Sequence, residues 1–404
     1  MLFFLIRAAS PFQDFRLHTD QLALEGFNHE KDSRCARRSR RFCGQRCCCR
    51  CSALCVVDEG LIYTNTKVTD EKSVDQLQLK SGRNLGSRWG LKGSEDLGNG
   101  YKVGFKLESG FEADSGTLQE NRLFRREAGL TLYGPFGSLG LGRFGGIASA
   151  AGTYDLIGYV ESFDGGDNNV WGFASSSRYD NVVAYQTPRF AGLQLTAQYS
   201  FKTDSAAKND TPTGFSGDEG TSAAKRYASI GVSGDYGAAQ FAAGYELTKY
   251  GANSAGDREV ADKDGSLFFV GGNYNFEVVR VYAEAQYFEG LAGINNDYKF
   301  ANQGKAASDG LKGYGLHLGA KAPIAAGTLT AGLYYVDAKE DLTTEADQDF
   351  KYYGVSARYV YPLSKRTSVY GGAGYGQTTV DGAAGKADQD TKLVQAYVGL
   401  THTF

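Results

Sequence analysis

The sequence predicts an all-β fold, a 16-stranded antiparallel transmembrane β-barrel, and three observations carry that prediction. After residue 55 the apolar signal has period 2, the spacing of strands rather than helices. The pattern recurs sixteen times, with connections that alternate between short turns and long polar loops. The composition of 54 Gly, 26 Tyr and 24 Phe beside 6 Pro and one Met suits many short strands joined by tight turns.

In chain order the strands are expected at 56–66, 86–93, 101–112, 126–133, 137–144, 177–187, 191–202, 225–236, 238–249, 266–276, 278–289, 311–322, 327–338, 350–361, 366–378 and 391–404. In "YKVGFKLESGF" Val103, Phe105, Leu107 and Phe111 share one face, and Lys102, Lys106, Glu108 and Glu112 share the other. "GPF" at 134–136, "PRF" at 188–190 and "PLSK" at 362–365 are the short turns between neighbouring runs. "SLFFVGGNYNFEVVRVYAEAQYFEG" joins two runs with almost no turn between them. The last run places Val394, Ala396, Val398, Leu400 and Phe404 on one side. The long polar connections are 67–85, 145–176, 203–224, 250–265 and 290–310.

A soluble β-sandwich or propeller would show the same alternation. It would not explain the long-short rhythm, the absence of Cys after residue 55, or a strictly terminal Phe. In a membrane only a closed barrel satisfies every backbone group, so the apolar face would meet lipid and the charged face a water-filled lumen. A mean hydropathy of −0.37 is compatible with that arrangement, because lumen and loops are polar. No run approaches the roughly 18 apolar residues of a spanning helix.

"GSRWGLKGSEDLGNGYKVGFKLESGFEADSGTL", "LFRREAGLTLYGPFGSLGLGR", "SRYDNVVAYQTPRFAGLQLTAQYS" and the ending "VGLTHTF" resemble the Gram-negative general porins, most closely the β-proteobacterial type. The resemblance covers about residues 56–404. It implies a homotrimer of barrels in the bacterial outer membrane, with short periplasmic turns, long external loops and a third loop folded inward. It also implies a terminal Phe, here Phe404, read by the barrel assembly machinery. The partners it implies are outer-membrane lipid and small hydrophilic solutes that diffuse through, with no nucleic acid, no metal and no cofactor.

Residues 1–55 stand apart. They hold all seven cysteines (Cys35, Cys43, Cys47, Cys48, Cys49, Cys51 and Cys55) and 10 Lys/Arg against 5 Asp/Glu, whereas residues 56–404 carry a net charge of −8. The cysteine-free remainder suits an oxidising compartment. The cysteines are too crowded for paired zinc ligands, and "MLFFLI" is too short for the core of a signal peptide. TGC and CGC codons read one base out of register become Ala and Leu codons, so "RCCCRC" is what a GC-rich signal peptide would give in the wrong frame. Residues 1 to about 55 are therefore expected to be a frameshifted or mis-started, disordered segment. The frame would join near Val56, and export would need a signal peptide that the sequence as written lacks.

A diffusion pore works by radius and fixed charge rather than by catalysis. The segment 145–176 is the longest connection and follows the fifth strand, where the constricting loop belongs. The resemblance places Glu161 and Asp164 at the positions of the loop acids, with Asp167 nearby. It places Arg88, Arg143 and Arg178 at the positions of the opposing arginines, whereas Val57 falls where enterobacterial members carry a further basic residue. Alternation adds Lys92, Lys106 and Arg125 as lumen candidates. Strict alternation from Leu139 and Leu141 points Arg143 outward, so it needs a bulge at Gly142 to reach the lumen.

A barrel enzyme would need a nucleophile with a base in reach. Only His317 and His402 fall after residue 55, and neither has a Ser- or Asp-bearing motif around it. His402 shares its parity with Leu400 and Phe404 and is expected at the membrane interface. A solute-specific channel and a structural or adhesive barrel are the remaining alternatives.

Overall fold

The computed structural model describes residues 50–150, 152–163, 167–170, 174–206, 217–252, 263–294, 308–342, 347–381 and 388–404. Their strands are β1 (Arg50–Val68), β2 (Val74–Ser81), β3 (Arg88–Gly98), β4 (Tyr101–Glu112), β5 (Thr117–Leu118), β6 (Glu127–Gly134), β7 (Gly137–Gly145), β8 (Arg178–Gln186) and β9 (Leu193–Ser200). The second half contains β10 (Arg226–Tyr236), β11 (Ala239–Lys249), β12 (Gly265–Asn275), β13 (Arg280–Leu291), β14 (Ser308–Ile324), β15 (Gly327–Leu342), β16 (Gln348–Pro362), β17 (Thr367–Val380) and β18 (Gln389–Thr403).

All pairings are antiparallel, and β1 closes the sheet against β18 from Val56↔Thr403 to Val68↔Thr391. Two of the labelled strands are not separate spans. β5 pairs only with the tip of β4. β2 and β3 both pair with β1, β2 along Glu59–Thr66 and β3 along Arg50–Val56, so they are one spanning strand interrupted at 82–87. The result is a closed 16-stranded barrel, in which neighbouring ladders satisfy the backbone except along the outer edge of β2, which has no ladder among the described residues. No helix among the described residues is long and apolar enough to cross a membrane; the strands make the crossing. The outward positions include Leu61, Leu130, Ile230, Leu318, Leu333 and Val398, all exposed, which form the lipid-facing band. On β18 the predicted alternation is observed: Gln395, Tyr397 and Thr401 are buried, and Val394, Val398 and Leu400 are exposed.

Three details differ from the sequence reading. Part of the expected loop 67–85 is β2. Its Val74 has one parity and its Leu77 and Leu79 the other, so "VDQLQLK" gives no clean period-2 signal. β1 begins at Arg50 rather than near Val56, because the ladder with β3 continues through Cys51 and Cys55. Cys35, Cys43, Cys47, Cys48 and Cys49 lie outside the described residues. The third difference is the inner wall, which is not uniformly charged. Inward positions of β12, β13 and β15–β17 carry Phe269, Phe288, Val336, Phe350 and Val380, all buried.

Candidate pore constriction

The described residues of the segment 146–177, between β7 and β8, lie inside the barrel and cover that apolar wall. Ile147, Leu156, Ile157, Val160 and Phe163 join Phe269, Phe288, Tyr334 and Tyr352 in one buried cluster. Burial of this apolar surface seats the loop, and polar contacts fix its course. Ala148 N–H donates to Glu246 Oε1 at 3.0 Å on β11, and Asn273 Nδ2 of β12 donates to Tyr159 O at 2.8 Å. Ser162 N–H donates to His317 Nε2 at 3.2 Å, and Ser162 Oγ donates to Ala331 O at 3.0 Å. Further on, Tyr352 OH donates to Val170 O, and Gln395 Nε2 donates to Asp167 O at 3.2 Å. Gln286 and Ala174 then exchange two hydrogen bonds of 3.0 and 3.1 Å. The loop thus sweeps along the wall from β11 to β18, touches β6–β8 through Thr153 and Tyr154, and leaves the wall of β1–β4 to face the opening.

Two of the predicted acids, Glu161 and Asp167, are turned away from that opening. Glu161 is fully buried and turned to the wall, accepting from Tyr334 OH at 2.6 Å, with His317 Nε2 at 3.8 Å. Asp167 is also fully buried, accepting from Tyr397 OH with Arg358 Nη1 at 3.7 Å. Burial raises the Asp167 carboxyl above the usual carboxylate range, against the opposing pull of Arg358 and Tyr397. Asp164 lies outside the described residues. His317 is a wall residue that holds the loop, with Leu316 and Leu318 on the opposite face, as the alternation implies.

The basic residues divide into two groups. Arg88 and Lys92 have the inward parity of β3, since Trp89 and Leu91 are exposed outside. Lys92 stands opposite Lys106 in the ladder, and Lys106 Nζ reaches Glu127 at 2.7 Å and Glu108 at 3.5 Å. Arg178, at the foot of the loop, donates from Nη2 to Ala150 O at 2.9 Å, within electrostatic reach of Arg126, Glu127 and Glu108. Arg143 is a correction. It pairs in register with Ala128, which shares the outward parity of Leu130. The irregularity next to Gly142 exists, with φ +138° at that glycine, but it does not turn Arg143 inward. Arg143 binds Asp180 at 2.5 Å and Arg125 O at 2.8 Å, beneath the segment 113–126. Arg125 belongs to that segment too, bridging to Glu120 at 2.9 Å. Val57 has the outward parity of Leu61, and the inward residue beside it is an acid, Asp58, fully buried.

Sequence reasoning missed Arg126, Arg358, Arg83 and Asp58. Arg126 Nε binds Glu108, which completes an ion-paired group with Lys106. Arg358 shares the inward parity of Tyr352, Gly354 and Ser356, so alternation along β16 was a sufficient signal. Asp58 has the inward parity of β1, so alternation was again a sufficient signal, whereas Arg83 belongs to the strand break, for which alternation has none.

A family model described as Gram-negative porin matches residues 56–400. The chain is 32% identical over 379 residues to an outer membrane porin protein of Bordetella pertussis, covering 86% of this chain and 93% of the relative. It is 27% identical to outer membrane porin protein 32 of Delftia acidovorans, covering 78% and 80%. Among solved structures, the anion-selective porin from Comamonas acidovorans superposes with a TM-score of 0.59 at 24% identity, covering 88% of this chain and all of that one. OmpT of Vibrio cholerae in its trimer form superposes with a TM-score of 0.53 at 17% identity, covering 88% and 99%.

Proposed function

The chain belongs to the Gram-negative porin family and is an outer-membrane diffusion channel for small solutes, and from that premise we propose that its constriction favours small anions. Its relatives are channels rather than enzymes. One observation carries the proposal. The loop carboxylates Glu161 and Asp167 are buried against the far wall, while half-buried Arg88, Lys92, Lys106 and Arg178 stand on the other side, with Arg126, Glu108 and Glu127 buried and ion-paired beside them. Positive charge therefore exceeds negative at the opening, even though residues 56–404 are net acidic.

Replacing Arg88 and Lys92 together with Ser is expected to shift the reversal potential under a salt gradient towards cations. The shift should grow at low salt, as screening lengthens from about 8 Å at 0.15 M to about 30 Å at 0.01 M. Glu161→Gln is expected to leave it unchanged, because the amide oxygen still accepts from Tyr334 and the carboxylate never faced the opening. An unchanged potential in the Ser pair would overturn the reading.

We also propose that the channel is a homotrimer. β2 hydrogen-bonds to β1 along one edge and, among the described residues, has no ladder partner on the other. It lies at the depth of Leu61 and Tyr63 with Leu77 and Leu79 exposed, and lipid does not tolerate an open sheet edge. A neighbouring subunit would cover it. The segment 113–126 is tied to its own barrel by Arg122, which binds Asp180 at 3.0 Å and also Asp204. A heat-sensitive three-fold species on a denaturing gel is the expected result, and a monomer by sedimentation in mild detergent would rule it out.

A further inference from the structure

The interruption at 82–87 does not look like a simple defect in a strand. It turns inward through Gly82, at φ +72°, a conformation that favours glycine. Asp58 pins it. This fully buried carboxylate accepts from Asn84 N–H at 3.2 Å, Leu85 N–H at 3.3 Å, Tyr370 OH at 2.8 Å and Thr401 Oγ1. The Asp58 backbone adds bonds with Gly82 N–H at 2.9 Å and Ser87 Oγ at 3.0 Å, and Asn84 Nδ2 donates to Thr401 Oγ1 at 3.0 Å. A carboxylate saturated by main-chain and hydroxyl donors holds a fixed geometry.

The fold carries Arg83 to the inner face. Its stem passes over Gly60, where an added Cβ would sit 3.4 Å from Arg83 Cγ. Its guanidinium donates from Nε and Nη2 to Ser81 O at 3.3 and 3.2 Å and lies within electrostatic reach of Tyr370. Arg358 connects this fold to the constricting loop. Its Nη1 donates to Arg83 O at 3.4 Å, the same nitrogen is 3.7 Å from Asp167, and its guanidinium stacks 5.0 Å from the Phe163 ring. Arg126 Nη1 approaches from the other side, 3.2 Å from a Cβ placed on Gly86.

Resting on the anion reading above, we infer that residues 82–87 form a second inward lip of the constriction and that Arg83 on it is a specificity-determining residue for anionic solutes. Arg358 is a positioning residue that couples the lip to the loop.

The test uses the full chain in planar bilayers under a KCl gradient, with Arg83→Ala, Arg83→Lys and Arg88→Ser read for chloride-to-potassium permeability ratio. Arg83→Ala is expected to lower the ratio roughly five-fold, because the Boltzmann weight of one unit charge at about 8 Å in water, about two, acts in opposite senses on chloride and potassium, and Arg83→Lys to keep it near the parent value. The side chain takes no part in the strand ladders, so the barrel is expected to form in each variant. If Arg88→Ser shifts the ratio and Arg83→Ala does not, the inference is overturned while the anion reading stands. If Arg83→Lys falls as far as Arg83→Ala, the charge of Arg83 is not the determinant and the inference is likewise overturned. If no variant moves the ratio, both readings fall.

Discussion

Ile157→Asp is expected to give a folded barrel with higher single-channel conductance and more frequent current fluctuation than the parent. Ile157 is fully buried between the constricting loop and the wall. An unpaired carboxylate there either costs several kcal/mol or is relieved by the loop leaving its seat. The second outcome should win, because the spanning ladders do not use the loop; the hydrogen bonds of Ile157 O go to Val160 and Glu161 within it. Ile157→Ala should act in the same direction more weakly. A loss of about 3 kcal/mol changes the seated-to-released ratio about a hundred-fold. Conductance in planar bilayers reads both variants, and heat-dependent gel mobility checks that the barrel has formed. Parent conductance from a properly folded Ile157→Asp channel would mean that the polar contacts with β11–β18, and not the apolar seat, hold the loop.

Deleting Phe404 is expected to reduce outer-membrane insertion in cells far more than refolding into detergent. The residue contributes little to the finished barrel. The residue is 67% exposed, its ring meets His402 edge-on at 4.4 Å, and its N–H donates to Cys55 O at 3.0 Å. A group that stabilises the product so little matters mainly if it is read during assembly, which is the role the porin resemblance implies. Quantifying heat-modifiable protein in outer-membrane fractions, beside refolding yield in vitro, separates the two. Equal loss in both settings would make Phe404 a packing residue and nothing more.

The alternation of side chains, the rhythm of turns and loops, and the inward parity of Arg88, Lys92 and Lys106 were legible in the sequence, because each follows from the local geometry of a single strand. The same local rule pointed Arg143 outward, and the structure keeps it there against the position suggested by family resemblance. What the tertiary structure alone decided depends on which wall the third loop covers. Nothing in "YVESFDGG" says that Glu161 will turn away from the opening to Tyr334, more than 170 residues later in the chain. That orientation follows from Phe269, Phe288 and Phe350, distant positions that become one apolar surface only when the barrel closes. The strand break at 82–87 has the same origin. Asp58 reads as an ordinary acid on a first strand until closure places Tyr370, Thr401 and the amides of Asn84 and Leu85 around it. Period and parity are properties of neighbouring residues, whereas the charge that faces the solute is set by contacts across the whole circumference.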